Sequence, residues 1–212
     1  MSLDPTQLTT PTPPEWKVIS FLFAPYIKGD RISQAFAWIS VFPVLFAVAL
    51  TASAITKPRR SAVALMIGIA LCEIVNTVLK KTIKESRPPS LHKIAAASEG
   101  YGNPSSHAQY MGFLWTWYVV RKELSSTVFR RNLVRIMLLL GLVGAVCTSR
   151  VWNGHHTVEQ IRNGLAVGVL LGLVLARLAP LPDILAGIVF RVLLLLRRIV
   201  ADPEPSDQKK EE

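Results

Sequence analysis

Apolar residues in this chain are gathered into blocks separated by short basic loops, instead of recurring at the period of an amphipathic helix or strand. A hydrocarbon layer of roughly 30 Å takes about 20 helical residues to cross, and blocks near that length predict membrane spans. Ala35 to Ile55 is almost uninterrupted, carries Trp38 near one end, and is stopped by Lys57-Pro58-Arg59-Arg60. Ala62 to Leu79 follows after a very short loop, which predicts an antiparallel pair. His107 to Val120 is the shortest block and needs its polar first turn to span, while Leu133 to Thr148 is the fourth. The fifth starts near His156 and continues through Gly164 to Leu178. Ile184 to Val200 is interrupted by Arg191, Arg197 and Arg198, which suits an interfacial helix better than a sixth span.

The expected fold class is therefore all-α, a polytopic membrane helix bundle of about five transmembrane helices followed by a C-terminal amphipathic helix. Residues 1–34 read as an N-terminal segment, 35–178 as one membrane domain, 179–200 as the amphipathic or interfacial helix, and 201–212 as a disordered tail with Pro203 and Pro205 among its charges. Met1 to Glu15 contains Pro5, Pro11, Pro13 and Pro14 and no apolar core, so it does not read as a cleaved secretory signal.

Composition sharpens this picture in one respect. Of the 212 residues half are apolar, yet the formal net charge is +10, with a pI near 10 and a mean hydropathy of +0.36. The basic residues sit beside apolar blocks and not in one stripe with interleaved aromatics, so nucleic acid is not an expected partner. Cys72 and Cys147 both fall inside apolar blocks and read as small buried hydrophobes.

Lys57, Arg59 and Arg60 in the first loop, Arg121, Lys122, Arg130, Arg131 and Arg135 around the third, and Arg177 after the fifth span share one face, which should be cytosolic. The second and fourth loops then lie on the other face with the N-terminus. Lys80, Lys81, Lys84, Arg87, Lys93 and Arg150 are basic there too, and the rule holds only if some of them are kept for function.

Three clusters fall on that non-cytosolic face: Lys80 with Arg87-Pro88, Pro104-Ser105-Ser106-His107, and Ser149-Arg150 with His156. Taken singly, Lys80, Arg87 and Arg150 read equally well as anchors that snorkel to headgroups. Together, two guanidinium groups, an ammonium, hydroxyls and two imidazoles suit a phosphoryl group, because Arg makes bidentate contacts to phosphate oxygens and Lys supplies a point charge.

The spacing of these clusters resembles the three-part signature of the type-2 phosphatidic-acid phosphatases: Lys80, six residues, Arg87-Pro88; then Pro-Ser-Ser-His where the family has Pro-Ser-Gly-His; then Ser149-Arg150, five residues, His156. The resemblance implies that His156 attacks phosphorus and forms a phosphohistidine, and that His107 protonates the leaving group and later activates water. It implies that Lys80, Arg87 and Arg150 hold the phosphate oxygens, with Ser105 and the backbone amide of Ser106 adding hydrogen bonds. Neither a metal nor a cofactor is needed in that design.

One position departs from the general pattern. Four residues after the nucleophilic His the family places an Asp to hold the imidazole, and here stands Gln160; a neutral amide can fix the tautomer but lacks an anion's stabilisation of an imidazolium. Glu159 is the neighbouring carboxylate. Dolichyl-diphosphatases resemble this chain in having Gln there. They are similar also in Tyr101 to Gln109, in Gly29-Asp30, and in Glu73, Asn76 and Lys80 on one helical face. That branch implies a dolichyl or other polyprenyl diphosphate as lipid substrate and a lumen-facing site in the endoplasmic reticulum membrane. Alternatives remain: phosphatidate or undecaprenyl diphosphate as substrate, or a membrane scaffold or transporter that binds phosphate without hydrolysis.

Other polar residues carry plainer expectations. Glu73 and Asn76 either support Lys80 or bond between helices, and Gln109 reads as packing glue. His92 and His155 read as non-catalytic. Trp115, Trp117 and Tyr118 read as an interfacial belt, and Asp30 and Ser33 as caps of the first span.

Overall fold

A computed structural model describes residues 15–19, 24–57, 59–89, 100–122, 126–178 and 180–201. The expectations for His92, Lys93 and the tail from Asp202 lie outside these residues. Six helices follow a short hairpin: β1 (Trp16–Ile19), β2 (Ala24–Ile27), α1 (Arg31–Thr56), α2 (Arg60–Ile83), α3 (Ser106–Lys122), α4 (Ser126–Trp152), α5 (Val158–Arg177) and α6 (Pro180–Ala201).

The bundle agrees with the blocks. α1, α2, the Asn132–Trp152 part of α4, and α5 are each long and apolar enough to cross a bilayer. Many of their large apolar side chains point outward, Val48, Ile74, Leu138 and Leu170 among them, as expected where the surrounding solvent is lipid. α3, with 17 residues, is only about 25 Å long. It is the central helix, with Ala108, Met111 and Phe113 fully buried and Leu114 and Trp117 nearly so.

The contact between α3 and α5 has no side-chain layer in its middle. Gly164, Gly168 and Gly172 recur at every fourth position of α5, and a Cβ at each would run into α3: into the Ser105 carbonyl oxygen, the Gln109 carbonyl oxygen and Thr116 respectively. Small residues on one helical stripe let backbones approach closely where lipid gives helices no hydrophobic reason to associate. The spacing was readable in the sequence, and its role became evident only in the packing.

Three expectations need correction. α1 begins at Arg31, ahead of the apolar block at Ala35, because the expected Asp30 cap forms, its carboxylate accepting the N–H groups of Ile32 at 2.9 Å and Ser33 at 3.1 Å. Within the N-terminal segment, β1 and β2 pair antiparallel with Trp16 opposite Ile27 and Ile19 opposite Ala24. The hairpin is held against α1, where Ala24, Ala37 and Val41 are buried together with Ile19 and Tyr26 packed on them. Trp117 is no belt residue: it is 7% exposed, its ring lies 5.6 Å from that of Phe113, and the Arg121 guanidinium sits 5.0 Å from it. A central α3 turns this face toward α2 and α6 instead of toward headgroups.

α6 packs against the start of α2 and the end of α5, at the end of the bundle opposite the hairpin. Ala186 is buried with Val63 and Ala64 at the start of α2 and Ala176 at the end of α5, and Arg60 stacks over Phe190 at 5.9 Å. α6 has 22 residues, and its described stretch Ile184–Leu195 is apolar.

Candidate active site

At the hairpin end of the bundle the three clusters meet. Lys80 lies in the last turn of α2, and Lys84 ends that helix in the left-handed region at φ 54°, its N–H on the Lys80 carbonyl at 3.0 Å. This turn starts the extended run that carries Glu85, Ser86 and Arg87. The Gly102 N–H donates to the Glu85 carbonyl at 2.7 Å and pins the second loop to the first. α4 ends with Arg150 in its last turn, and a turn through Gly154, at φ 69°, brings the next two residues back so that the N–H groups of His155 and His156 both donate to the Arg150 carbonyl, at 2.9 and 3.2 Å. Thr157 then caps α5 in a capping box with Gln160.

His156 is 2% exposed, and its Nδ1 lies 3.1 Å from Gln160 Oε1. The amide has one sensible orientation. Its oxygen also accepts the Thr157 N–H at 3.4 Å, while its nitrogen donates to the Ser86 carbonyl at 2.9 Å and to Glu85 Oε1 at 2.7 Å. An oxygen facing Nδ1 requires the proton there, which leaves the lone pair on Nε2. On that side Arg87 Nη1 stands 3.4 Å from Nε2 and donates to the His155 carbonyl at 3.4 Å.

Burial, then the charges of Arg150, Arg87 and Lys80, push the His156 imidazole down to about 3, against a weaker opposing pull from Gln160. His155 is driven down in the same direction by burial and by Arg150. At neutral pH His156 is thus an uncharged ring with a protonated Nδ1 and an unprotonated Nε2, which is the form a nucleophile needs.

Arg150 and Lys80 act electrostatically on both His107 and His156, His156 acts on His107, and Arg87 acts on His156, Arg150 and Lys80, so the structure brings these five into one neighbourhood. The Nε atoms of Arg87 and Arg150 are buried without a hydrogen-bond partner. Donors left open in this way are what an incoming phosphate oxygen would satisfy. His107, in the first turn of α3, faces the backbone of Ser40 in α1. Among the described residues no three His, Cys, Asp or Glu side chains are grouped to hold a metal ion.

The remaining candidates are placed less directly. Ser105 is fully buried: its N–H donates to the Gln160 carbonyl at 3.1 Å and its hydroxyl accepts the Ala108 N–H at 3.5 Å, so it starts α3 and ties it to α5. Ser106, partly exposed, supplies the first residue of that helix. Asn76 bonds between helices, donating to Gln109 Oε1 at 2.8 Å and to the Pro104 carbonyl at 3.3 Å, and Gln109 donates onward to the Cys72 carbonyl at 2.7 Å. Glu73 is exposed on α2 and reaches Lys80 only through its charge. Glu159, exposed in the first turn of α5, does not take the place beneath His156.

Sequence reasoning missed Glu85, and it gave Asn103 no role beyond its place in the Tyr101 to Gln109 run. Asn103 Nδ2 donates to Glu85 Oε2 at 2.6 Å and its Oδ1 accepts from Asn163 at 3.2 Å, which closes a polar chain from the first loop through the second to α5. An acidic residue set between Lys80 and Arg87 in an otherwise basic loop was the available signal.

A helix bundle whose one mouth presents a neutral, tautomer-fixed imidazole among open guanidinium donors defines a class: multi-pass membrane proteins built to take hold of a phosphoryl group. The profile of the PAP2 superfamily matches residues 61–182. Dolichyldiphosphatase 1 of Homo sapiens is 30% identical over 76% of this chain and 71% of its own length, and the dolichyldiphosphatase of Saccharomyces cerevisiae is 32% identical over 69% and 64%. A transmembrane PAP2-type phosphatidylglycerolphosphate phosphatase from Bacillus subtilis shares the fold, with a TM-score of 0.57 over 73% of this chain and 79% of that one at 18% identity. The chain belongs to the PAP2 superfamily and stands there with the dolichyldiphosphatases; it spans about two thirds of the length of the curated relatives it matches.

Proposed function

We propose that this protein hydrolyses dolichyl diphosphate to dolichyl phosphate and inorganic phosphate, at the lumenal face of the endoplasmic reticulum membrane, so that the carrier lipid is returned for protein N-glycosylation. The lipid chain stays among the outward-facing apolar side chains of the bundle while the headgroup reaches the helix ends. Lys80, Arg87 and Arg150 bind the phosphate oxygens, and the amide of Ser106 lies at the start of α3, where helix N–H groups favour an anion. Ser105 contributes by fixing that helix start.

The Nε2 lone pair of His156 attacks the terminal phosphorus, and the bond from phosphorus to the bridging oxygen breaks. The departing dolichyl phosphate takes a proton from His107. Water then attacks the phosphohistidine, gives its proton to His107, and the nitrogen to phosphorus bond breaks to release phosphate.

The observation that carries this reading is the His156 ring held with its proton on Nδ1 and its Nε2 against Arg87. The test is phosphate release by the purified, detergent-solubilised protein from dolichyl diphosphate, dolichyl phosphate, undecaprenyl diphosphate and phosphatidate, with EDTA present, beside His156→Ala and His107→Ala. The expected result is preference for dolichyl diphosphate that both substitutions abolish. Preference for another lipid would replace the substrate, and release that survives His156→Ala would overturn the mechanism.

A further inference from the structure

His156 faces an unusual difficulty in becoming phosphorylated. Attack by a neutral imidazole leaves a positively charged, N-phosphorylated ring, and this ring lies among Lys80, Arg87 and Arg150. Its direct partner is the neutral Gln160, whose Oε1 accepts from Nδ1 at 3.1 Å. Behind that amide stands a carboxylate: Glu85 Oε1 accepts from Gln160 Nε2 at 2.7 Å.

We propose that Glu85 is a positioning residue for the nucleophile, acting through Gln160 to hold the His156 tautomer and to supply the negative charge that the amide lacks. This rests on the reading of His156 as nucleophile. Hydrogen bonds in series polarise one another, so a carboxylate pulling on the Gln160 N–H groups enriches electron density on the oxygen that faces the ring. Partners one step removed from a reacting imidazole fix its orientation and raise its basicity in the same manner.

The surroundings of Glu85 are built to hold it there. Its second oxygen accepts from Asn103 Nδ2 at 2.6 Å, and its carbonyl accepts the Gly102 N–H at 2.7 Å. Gly102 leaves room for the relay, since a Cβ on it would meet both the Oε1 and the Nε2 of Gln160. A carboxylate and an amide are thus stacked under one imidazole, in an order that an exchange of the two residues would reverse.

That exchange is the test. Glu85→Gln, Gln160→Asp and the transposed double substitution are compared in the purified full-length protein for steady-state turnover of dolichyl diphosphate and for the single-turnover rate of phosphohistidine formation. Glu85→Gln is expected to lower kcat on the order of 10- to 100-fold with KM nearly unchanged. The double substitution, which returns one carboxylate and one amide to the pair, should exceed the product of the two single effects by about tenfold. A Glu85→Gln protein that loses activity only in proportion to its folded fraction, or a double substitution no better than that product, would overturn the proposal. The histidine tautomer, read from nitrogen-15 shifts of labelled protein without turnover, decides independently: Nδ1–H in the wild type and mixed tautomers in Glu85→Gln support it, and identical spectra sink it. Wild-type protein inactive on every lipid diphosphate would count against the functional reading, and the tautomer measurement would still decide the positioning.

Discussion

Arg87 Nη1 stands 3.4 Å from His156 Nε2, so a donor for phosphate oxygens and the atom that would attack phosphorus are adjacent before any substrate arrives. The guanidinium occupies the lone pair in the resting site and has a buried Nε still unpartnered. In the proposed mechanism a phosphoryl group would satisfy that donor and draw the guanidinium onto its own oxygens, which would release the Nε2 lone pair of His156.

Arg87→Lys should therefore lower kcat/KM by about 10²- to 10³-fold, because an ammonium cannot reproduce the fork of donors that faces both the ring and the phosphate. Initial rates at limiting dolichyl diphosphate measure this. A loss below threefold would mean that Arg87 acts only as a headgroup anchor.

The low imidazole pKa of His156 has a consequence for stability. Folded, the ring titrates at about 3, against an ordinary value of 6.5. Below pH 6.5 the unfolded chain therefore binds the extra proton, and the folded state loses stability as pH falls from 6.5 toward 3, by up to about 1.4 kcal/mol per pH unit. Thermal melting in detergent between pH 7.5 and pH 4.5 should show this decline. His156→Gln should remove one proton's share of the slope, leaving that of His155, which shifts the same way.

Gly168→Ala is expected to cost about 1–3 kcal/mol or more, since its Cβ would overlap the Gln109 carbonyl, a backbone atom with little freedom to yield. Gly141→Ala, where nothing lies within 4 Å, should be neutral or stabilising by about 0.4–1 kcal/mol. Melting temperatures of the two, compared side by side, separate loss of the close contact from any general effect of removing a helical glycine.

Thr157→Ala removes the hydroxyl that accepts the Gln160 N–H at 3.2 Å. A lost N-cap costs about 1 kcal/mol. Here it should also loosen the side chain that orients His156, so a fall in kcat beyond the loss of folded protein is expected from active-site titration.

The positions of the four long spans were legible because their apolar blocks approach the length that a bilayer demands, and the five charged or imidazole residues stood out because each falls near the same end of a span. What escaped depends on contacts across long stretches of chain. Glu85 meets Gln160, 75 positions away, only because Lys84 takes a left-handed turn that no simple pattern announces. The hairpin was hidden by its shortness and by Pro25, and Trp117 was misread because an aromatic near a span end looks the same whether its helix is central or peripheral. Asn76 lies one turn before Lys80, yet its amide turns to Gln109 and Pro104, which sequence spacing does not reveal.

The glycine column of α5 has a mechanical meaning. With backbone against backbone at Gly164 and Gly168, α3 and α5 form one stiff slab that carries His107 and His156 together. Lys80 belongs to α2, which meets that slab through side chains, the Asn76–Gln109 hydrogen bond and the ring of Phe113 under Gly68. Arg87 donates to the His155 carbonyl, and the run that carries it is bonded to Gln160, so it moves with the slab, whereas Lys80 keeps its place through the packing of α2. Widening the α3–α5 contact at Gly168 should accordingly disturb the spacing of the two histidines, as well as the stability of the bundle.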